Sequence, residues 1–266
     1  MREKDIHTIF PHKKIAKKLI KKLKAGNVKA AALSEDIKKI DKLKDELNSN
    51  GINILNGRIL FGYLVYDVIK YIAGIQGRKI ETMEVSILAN NVGAPLWDAI
   101  TIDNIRFLAS KVKTLNIITN NIPKFKNVES SLYNEMGILI KISNNKNKAL
   151  LGSDIVVNMD FPSDFISKYR LSNTSIILNI NDNIVIKSKK FSGINVNDYE
   201  VEIPYEYKLE GFSDKIVYES IVCGDSNLDN IMKSIKKDNV KITKLIGNNG
   251  EISNEEIRQI YLTKAV

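Results

Sequence analysis

The stretch "SILANNVGAPLWDAI", residues 86–100, decides how the rest of the chain is parsed. The apolar run over 85–91 predicts a strand buried on both faces. Beyond it, Gly93, Pro95 and Trp97 precede a helical spacing through Ile102, Ile105, Leu108, Ala109 and Val112, which predicts a helix over 100–113. A strand that runs through a long, bulky loop into a helix is half of a crossover unit, so the next elements settle the architecture.

The alternation continues. "LNIITNN" (115–121) predicts a second strand, "FKNVESSLYNEMG" (125–137) a helix stopped by glycine, and "ILIKIS" (138–143) a third strand. After a turn or brief helix in "NKNKALLGS", "DIVVNMD" (154–160) and "SIILNI" (175–180) predict two further strands, with a short helix in "PSDFISKYRL" between them. Near-continuous apolar strands alternating with helices demand a parallel sheet covered on both faces. The expected class is therefore α/β, a doubly wound, mostly parallel sheet, with a small N-terminal α/β lobe and a C-terminal α+β extension.

In the first 80 residues, "VKAAALS" (28–34) and "INIL" predict short strands. A helix is expected through Ile37, Ile40, Leu43 and Leu47, ended by Gly51, and "GRILFGYLVYDVIKYIAGIQG" predicts a long buried helix. After residue 181 come β-branched, turn-rich segments and the helical stretches "DKIVYESIV" and "NLDNIMKSIKK". Ser253 and Glu256 have the spacing of a capping box ahead of a last helix. The expected partition is 1–80, 81–190 and 191–266.

The charge is concentrated at one end. Of the formal +9, residues 1–29 hold ten cations against Glu3 and Asp5, a net +8 that leaves the other 237 residues at +1. In "PHKKIAKKLIKKLKAG", Ile15, Leu19 and Leu23 form the apolar stripe of an amphipathic helix, with Pro11 near its start and Gly26 past its end. Lys13, Lys14, Lys17, Lys18, Lys21 and Lys22 form either a solvated face or an attachment to an anionic surface, nucleic acid backbone or lipid headgroups. With no aromatic and no arginine among these lysines, any such attachment is non-specific and salt-sensitive.

Other chemistry is sparse. The two histidines, His7 and His12, both lie in the basic N-terminal region. The single Cys223 permits no internal disulfide and, with no apolar leader in "MREKDIHTIF" and no membrane-length apolar run, fits a cytoplasmic protein. There is no P-loop, nucleophile elbow, HExxH or CxxC.

With "IITNNIPKFK" (117–126) and "SDIVVNMDFP" (153–162) in this order of elements, residues 85–180 resemble the Rossmann domain of the shikimate dehydrogenase and glutamyl-tRNA reductase kind. In those families a strand ending in "NRT" binds the phosphorylated ribose of NADP, and an "ADIVINAT" segment passes beside the nicotinamide. The resemblance implies NADP as the best cofactor guess and a site at Asn90, Asn91, Gly93, Asn120, Asn121, Lys124, Asp160 and Phe161, with Lys126 as a second phosphate partner. The departures are specific. Glycines let a pyrophosphate approach backbone N–H groups at a helix N-terminus, and here only Gly93 is available, followed by Pro95 and bulky Trp97. The acid that would bind ribose is replaced by Asn120 and Asn121.

Three functions remain open from the sequence. One is a Rossmann-like relative of NAD(P)-dependent dehydrogenases with an altered nucleotide site and no classical oxidoreductase activity. Another is an NADP-linked reductase with a noncanonical phosphate loop, and the third is an electrostatic membrane- or nucleic-acid-binding module. Trp97 and Asp98 are the candidate wall and polar anchor of any pocket, and Asp160 is either a ligand group or the cap of the helix after Pro162.

Overall fold

The structure, a computed structural model, describes residues 11–90, 93–186, 191–222 and 228–265; for 11–16, 38, 228–230, 232, 264 and 265 only the backbone is described. His7, Asn91 and Cys223, and the side chains of His12, Lys13 and Lys14, lie outside the described residues. Along the chain the elements are α1 (Pro11–Ala25), β1 (Ala30–Ala31), α2 (Glu35–Lys38), α3 (Asp41–Ser49), β2 (Asn53–Ile54), α4 (Arg58–Tyr63) and α5 (Val65–Ile75). Then follow β3 (Glu84–Leu88), α6 (Pro95–Ala109), β4 (Thr114–Ile118), α7 (Ile122–Met136), β5 (Lys141–Ser143), β6 (Ile155–Asn158), α8 (Ser163–Ile166), β7 (Ile176–Asn179) and β8 (Ile194–Val196). The chain closes with β9 (Asp198–Glu202), α9 (Asp214–Val222), α10 (Leu228–Lys237), β10 (Lys241–Gly247), β11 (Gly250–Glu251) and α11 (Asn254–Ala265).

Six strands pair in parallel in the order β5-β4-β3-β6-β7-β8. Numbered within the sheet this is 3-2-1-4-5-6, the Rossmann order, with the switch point between β3 and β6. Right-handed crossovers put α6 and α7 on one face and the α8 segment on the other. Strand alternation sorts the side chains accordingly. Leu88, Ile118, Val156 and Ile177 project into a core with Leu150, Phe161, Ile166 and Tyr169. Val85, Ile87, Ile155, Val157, Ile176 and Leu178 fill the opposite face and are equally buried.

Two compact units emerge, each made of two chain segments: Met1–Gly57 with Ile203–Val240, and Arg58–Glu202 with Lys241–Val266. These limits differ from the expected cuts near 80 and 190, because α4 and α5 belong with the sheet. Asn104 donates from Nδ2 to Gly62 O at 2.8 Å, binding α6 to α4. Phe61 of α4 stacks on Tyr199 of β9 with ring centroids 4.5 Å apart. The larger unit also carries the three-stranded antiparallel sheet β11-β10-β9. Asn197 alone separates β8, in the parallel sheet, from β9, in the antiparallel one.

In the smaller unit, the stripe of α1 packs as its spacing predicts: Ile20 is buried with Leu33, Leu43, Leu47 and Ile52, and Leu19 and Leu23 lie against them. The single helix expected through Ile37 to Leu47 is two, broken at Ile40, whose ψ of 88° is not helical. The long helix expected after Gly57 is likewise divided at Leu64. Among the described residues, no helix is long and apolar enough to cross a membrane.

Candidate functional site

The carboxyl ends of β3, β4 and β6 bring Asn90, Asn120 and Asp160 of the sequence-predicted residues together. The Asn120 N–H donates to Asn90 Oδ1 at 2.7 Å, and the Asn90 N–H donates to Asp160 Oδ1 at 2.8 Å. These two bonds stitch the loops that follow three strands into one rim across the switch point. Asn121 is drawn into its own turn, its N–H donating to Thr119 Oγ1 at 2.9 Å. Gly93 sits at φ 73°, in the left-handed region that glycine adopts without a Cβ penalty.

Several expectations need correction here. The first crossover helix starts at Pro95, not near residue 100, so the bulky residues belong to its first turn rather than to a long loop. Proline is at home at that position because its missing N–H would have had no intrahelical partner. Trp97 faces α4: its Cζ3 lies 3.3 Å from where a Cβ on Gly62 would stand, and Ile100 Cγ2 lies 2.8 Å from the same point. Glycine is therefore required at 62 for the two helices to approach. Asp98 is not free to anchor a ligand, since Lys124 Nζ lies 2.7 Å from its Oδ1 in a half-buried ion pair. Lys126 is paired with Glu129 at 2.5 Å. Asp160 does not cap the helix after Pro162; α8 has Pro162 at its N-cap with no side-chain cap bond. Phe161 is 1% exposed and is a core residue.

Beside this rim, a cavity of about 540 Å³ opens at the carboxyl ends of β6 and β7, with Asp160, Ser163, Asn181, Asp182 and Asn183 among its polar lining. Its volume falls in the range of small-molecule sites. Behind it runs an amide network absent from the sequence reading. Asn158 Nδ2 donates to Asn179 Oδ1 at 3.0 Å, and Asn179 Nδ2 donates to Asn195 Oδ1 at 2.8 Å and Asn197 Oδ1 at 2.9 Å. Asn197 in turn donates to Asn248. A carboxamide both donates and accepts, so a row of them can satisfy itself without charge. Arg58 closes the row's edge, donating to Asn179 O at 3.0 Å and Ile180 O at 3.3 Å, and to Asn183 Oδ1. The available signal was asparagine at or next to the carboxyl ends of three successive strands, in "VVNMD", "ILNIND" and "INVND".

On the N-terminal helix, Lys17, Lys18, Lys21 and Lys22 are exposed. No metal-ligating cluster of three His, Cys, Asp or Glu occurs among the described residues.

The α/β topology defines a Rossmann-like doubly wound fold with a small antiparallel sheet attached. No family model and no curated protein matches the chain. Among solved structures it is similar to L-tryptophan dehydrogenase from Nostoc punctiforme, at 10% identity and TM-score 0.31, over 85% of this chain and 63% of that one. A structure from Trypanosoma cruzi designated an aspartate carbamoyltransferase is similar at 10% identity and TM-score 0.28, over 67% of this chain and 61% of that one. The chain thus spans less than two thirds of the length of either, and at these scores the fold class rests on the sheet order itself.

Proposed function

We propose that this is a Rossmann-like protein, related in fold to NAD(P)-dependent dehydrogenases, whose switch-point loop no longer takes a dinucleotide. The observation that carries this reading is the bond from the Asn90 N–H to the Asp160 carboxylate. In a dinucleotide site the N–H groups of this loop serve the pyrophosphate. Here one of them serves a carboxylate of the protein, and an incoming phosphate would meet that acid. Lys124, the cation best placed in sequence to meet a ribose phosphate, is already paired with Asp98. The ligand suited to this edge is a small neutral or cationic molecule with hydroxyl or amino groups, held between Asp160, Asp182 and the neighbouring amides. No classical oxidoreductase step is assigned to it.

Thermal-shift measurements with NAD+, NADH, NADP+ and NADPH test this directly. Micromolar dinucleotide is expected to leave the melting temperature unchanged, whereas a clear shift with micromolar NADPH would favour the NADP-linked reductase and overturn the proposal. A second reading, not exclusive of the first, rests on the exposed lysines of α1: the protein attaches to anionic surfaces by charge alone. Binding to anionic vesicles or DNA that persists after Lys17, Lys18, Lys21 and Lys22 are changed to glutamine would dispose of it.

A further inference from the structure

A second cavity, of about 780 Å³, opens at the opposite end of the sheet. Its walls come from segments that lead into strands: Asn147 and Leu151 before β6, Lys168 to Asn173 before β7, and Phe191 before β8. The Rossmann ligand crevice lies beyond the carboxyl ends of the strands, so this cavity is a separate feature.

Its chemistry is one-sided. Lys168 and Arg170 line it, and neither has a carboxylate partner among the described residues, nor does any acidic residue line the cavity. Lys146 adds a third positive charge close by. Its ammonium lies 5.8 Å from the Phe165 ring centroid, and that of Lys168 lies 5.1 Å from the same ring. Backbone geometry fixes the arrangement, for the Arg170 N–H donates to Lys146 O at 2.8 Å.

Between the two cations stands Tyr169, 5% exposed and lining the same cavity. Its ring is held against Phe161 and Phe165, at centroid distances of 6.0 and 6.4 Å. Its hydroxyl is buried and has no hydrogen-bond partner among the described residues. Buried polar groups almost always find partners, and an unpartnered hydroxyl on a residue that lines a cationic cavity is a donor that a shift of the side chain toward the cavity would offer to an acceptor. Burial also pushes the phenol pKa up, which keeps the proton on the oxygen.

We infer that this cavity binds a small organic phosphate monoester, with Arg170 and Lys168 meeting the phosphate, Tyr169 shifting to donate to it, and Leu151, Leu171 and Phe191 receiving the organic part. Arginine suits a phosphate because its planar fork can donate twice to one group.

The test is calorimetric titration of the full chain with phenyl phosphate and, separately, inorganic phosphate. Phenyl phosphate is expected to bind once per chain and more tightly than inorganic phosphate. Arg170→Gln and Lys168→Gln should each weaken it by roughly tenfold, as for loss of a charge-assisted bond. Tyr169→Phe should weaken it several-fold while leaving the melting temperature of the free protein unchanged or higher, since no hydrogen bond within the protein is lost. Lys241→Gln, at an exposed lysine that neither lines the cavity nor belongs to α1, should bind as the parent does. No binding at millimolar phenyl phosphate, or equal affinity in Arg170→Gln and Lys168→Gln, would overturn the inference. So would a loss of binding in Lys241→Gln, which would place the anion outside the cavity.

Discussion

The two ends of the parallel sheet treat their polar groups in opposite ways. At the carboxyl end, nearly every group that sequence reasoning would offer to a ligand is bonded within the protein: Asn120 to Asn90, Asn90 to Asp160, Lys124 to Asp98. At the amino end, a tyrosine hydroxyl is buried beside two cations, and among the described residues the hydroxyl has no partner and the cations have no acid to pair with. Hydrogen bonds already made within a protein contribute modestly to stability and leave nothing for a ligand, whereas an unmade one costs stability and is recovered on binding. A site is therefore better located by its unmet bonding capacity than by its place in the fold.

The largest test concerns a part of the amino end that is fully paired. Arg78 holds Asp154 at 2.8 Å with the two side chains 13% and 6% exposed, and Asp154 Oδ2 also accepts the Glu84 N–H at 2.8 Å. Asp154→Ala strands a buried guanidinium and is expected to cost about 3–5 kcal/mol in denaturant unfolding. A cost below about 1 kcal/mol would mean that this end is loosely bonded throughout, and the orphan at Tyr169 would lose its significance.

Next in size is Asp160→Ala, which removes the acceptor of the Asn90 N–H. A loss of about 1 kcal/mol is expected, the low end for such a group because Asp160 is half-buried. A gain in stability would break the comparison, because it would mark the carboxylate as held for a ligand at the protein's expense.

The smallest effect belongs to the capping box of α11. Ser253 N–H donates to Glu256 Oε2 at 2.8 Å, and the Glu256 N–H returns a bond to Ser253 Oγ at 3.2 Å. Ser253→Ala should cost about 0.5 kcal/mol, the low end for a cap because Ser253 is exposed. The Ser253 backbone N–H, then its hydroxyl, hold the Glu256 carboxyl below its ordinary pKa of 4.5. Because the folded value is the lower one, this contribution is complete above pH 4.5 and is lost as the pH falls through the folded value. Melting curves of parent and variant should therefore draw closer in acid without meeting, since the bond from the Glu256 N–H to the Ser253 hydroxyl does not titrate.

The capping box was legible because its bonds span three residues, and so was Gly137, which ends α7 at φ 68°. The strands β3, β4, β6 and β7 were legible for a related reason: burial inside the sheet imposes apolar runs such as "DIVVNMD" that need no knowledge of the partner strand, whereas the edge strand β5 has no buried residue and showed only through the apolar "ILI" that leads into it. The hairpin of β10 and β11 was not. "KITKLIG" has Ile242 and Leu245 buried with two exposed lysines, a pattern disturbed by the register shift between Ile242 and Lys244. Site chemistry was the least legible. Lys124 has the right charge and position for a phosphate, but its state depends on Asp98, 26 residues away and one helix back. The amino-end cavity gathers irregular segments around residues 147, 170 and 191, and no periodicity announces irregular chain.

The division of the chain bears on how the protein is made. Met1–Gly57 is completed by Ile203–Val240, and Arg58–Glu202 by Lys241–Val266. A ribosome delivers these four segments in order, so neither unit can close when its first segment emerges. At 5–20 residues per second, the N-terminal segment waits roughly 7–30 s for Ile203 to be synthesised. During that interval the stripe of α1 has Leu33, Leu43, Leu47 and Ile52 of its own segment to pack against, and what stays uncovered is the face that Ile203–Val240 completes. The lysines of α1 then act as gatekeepers, keeping an unfinished apolar face soluble until its partner arrives.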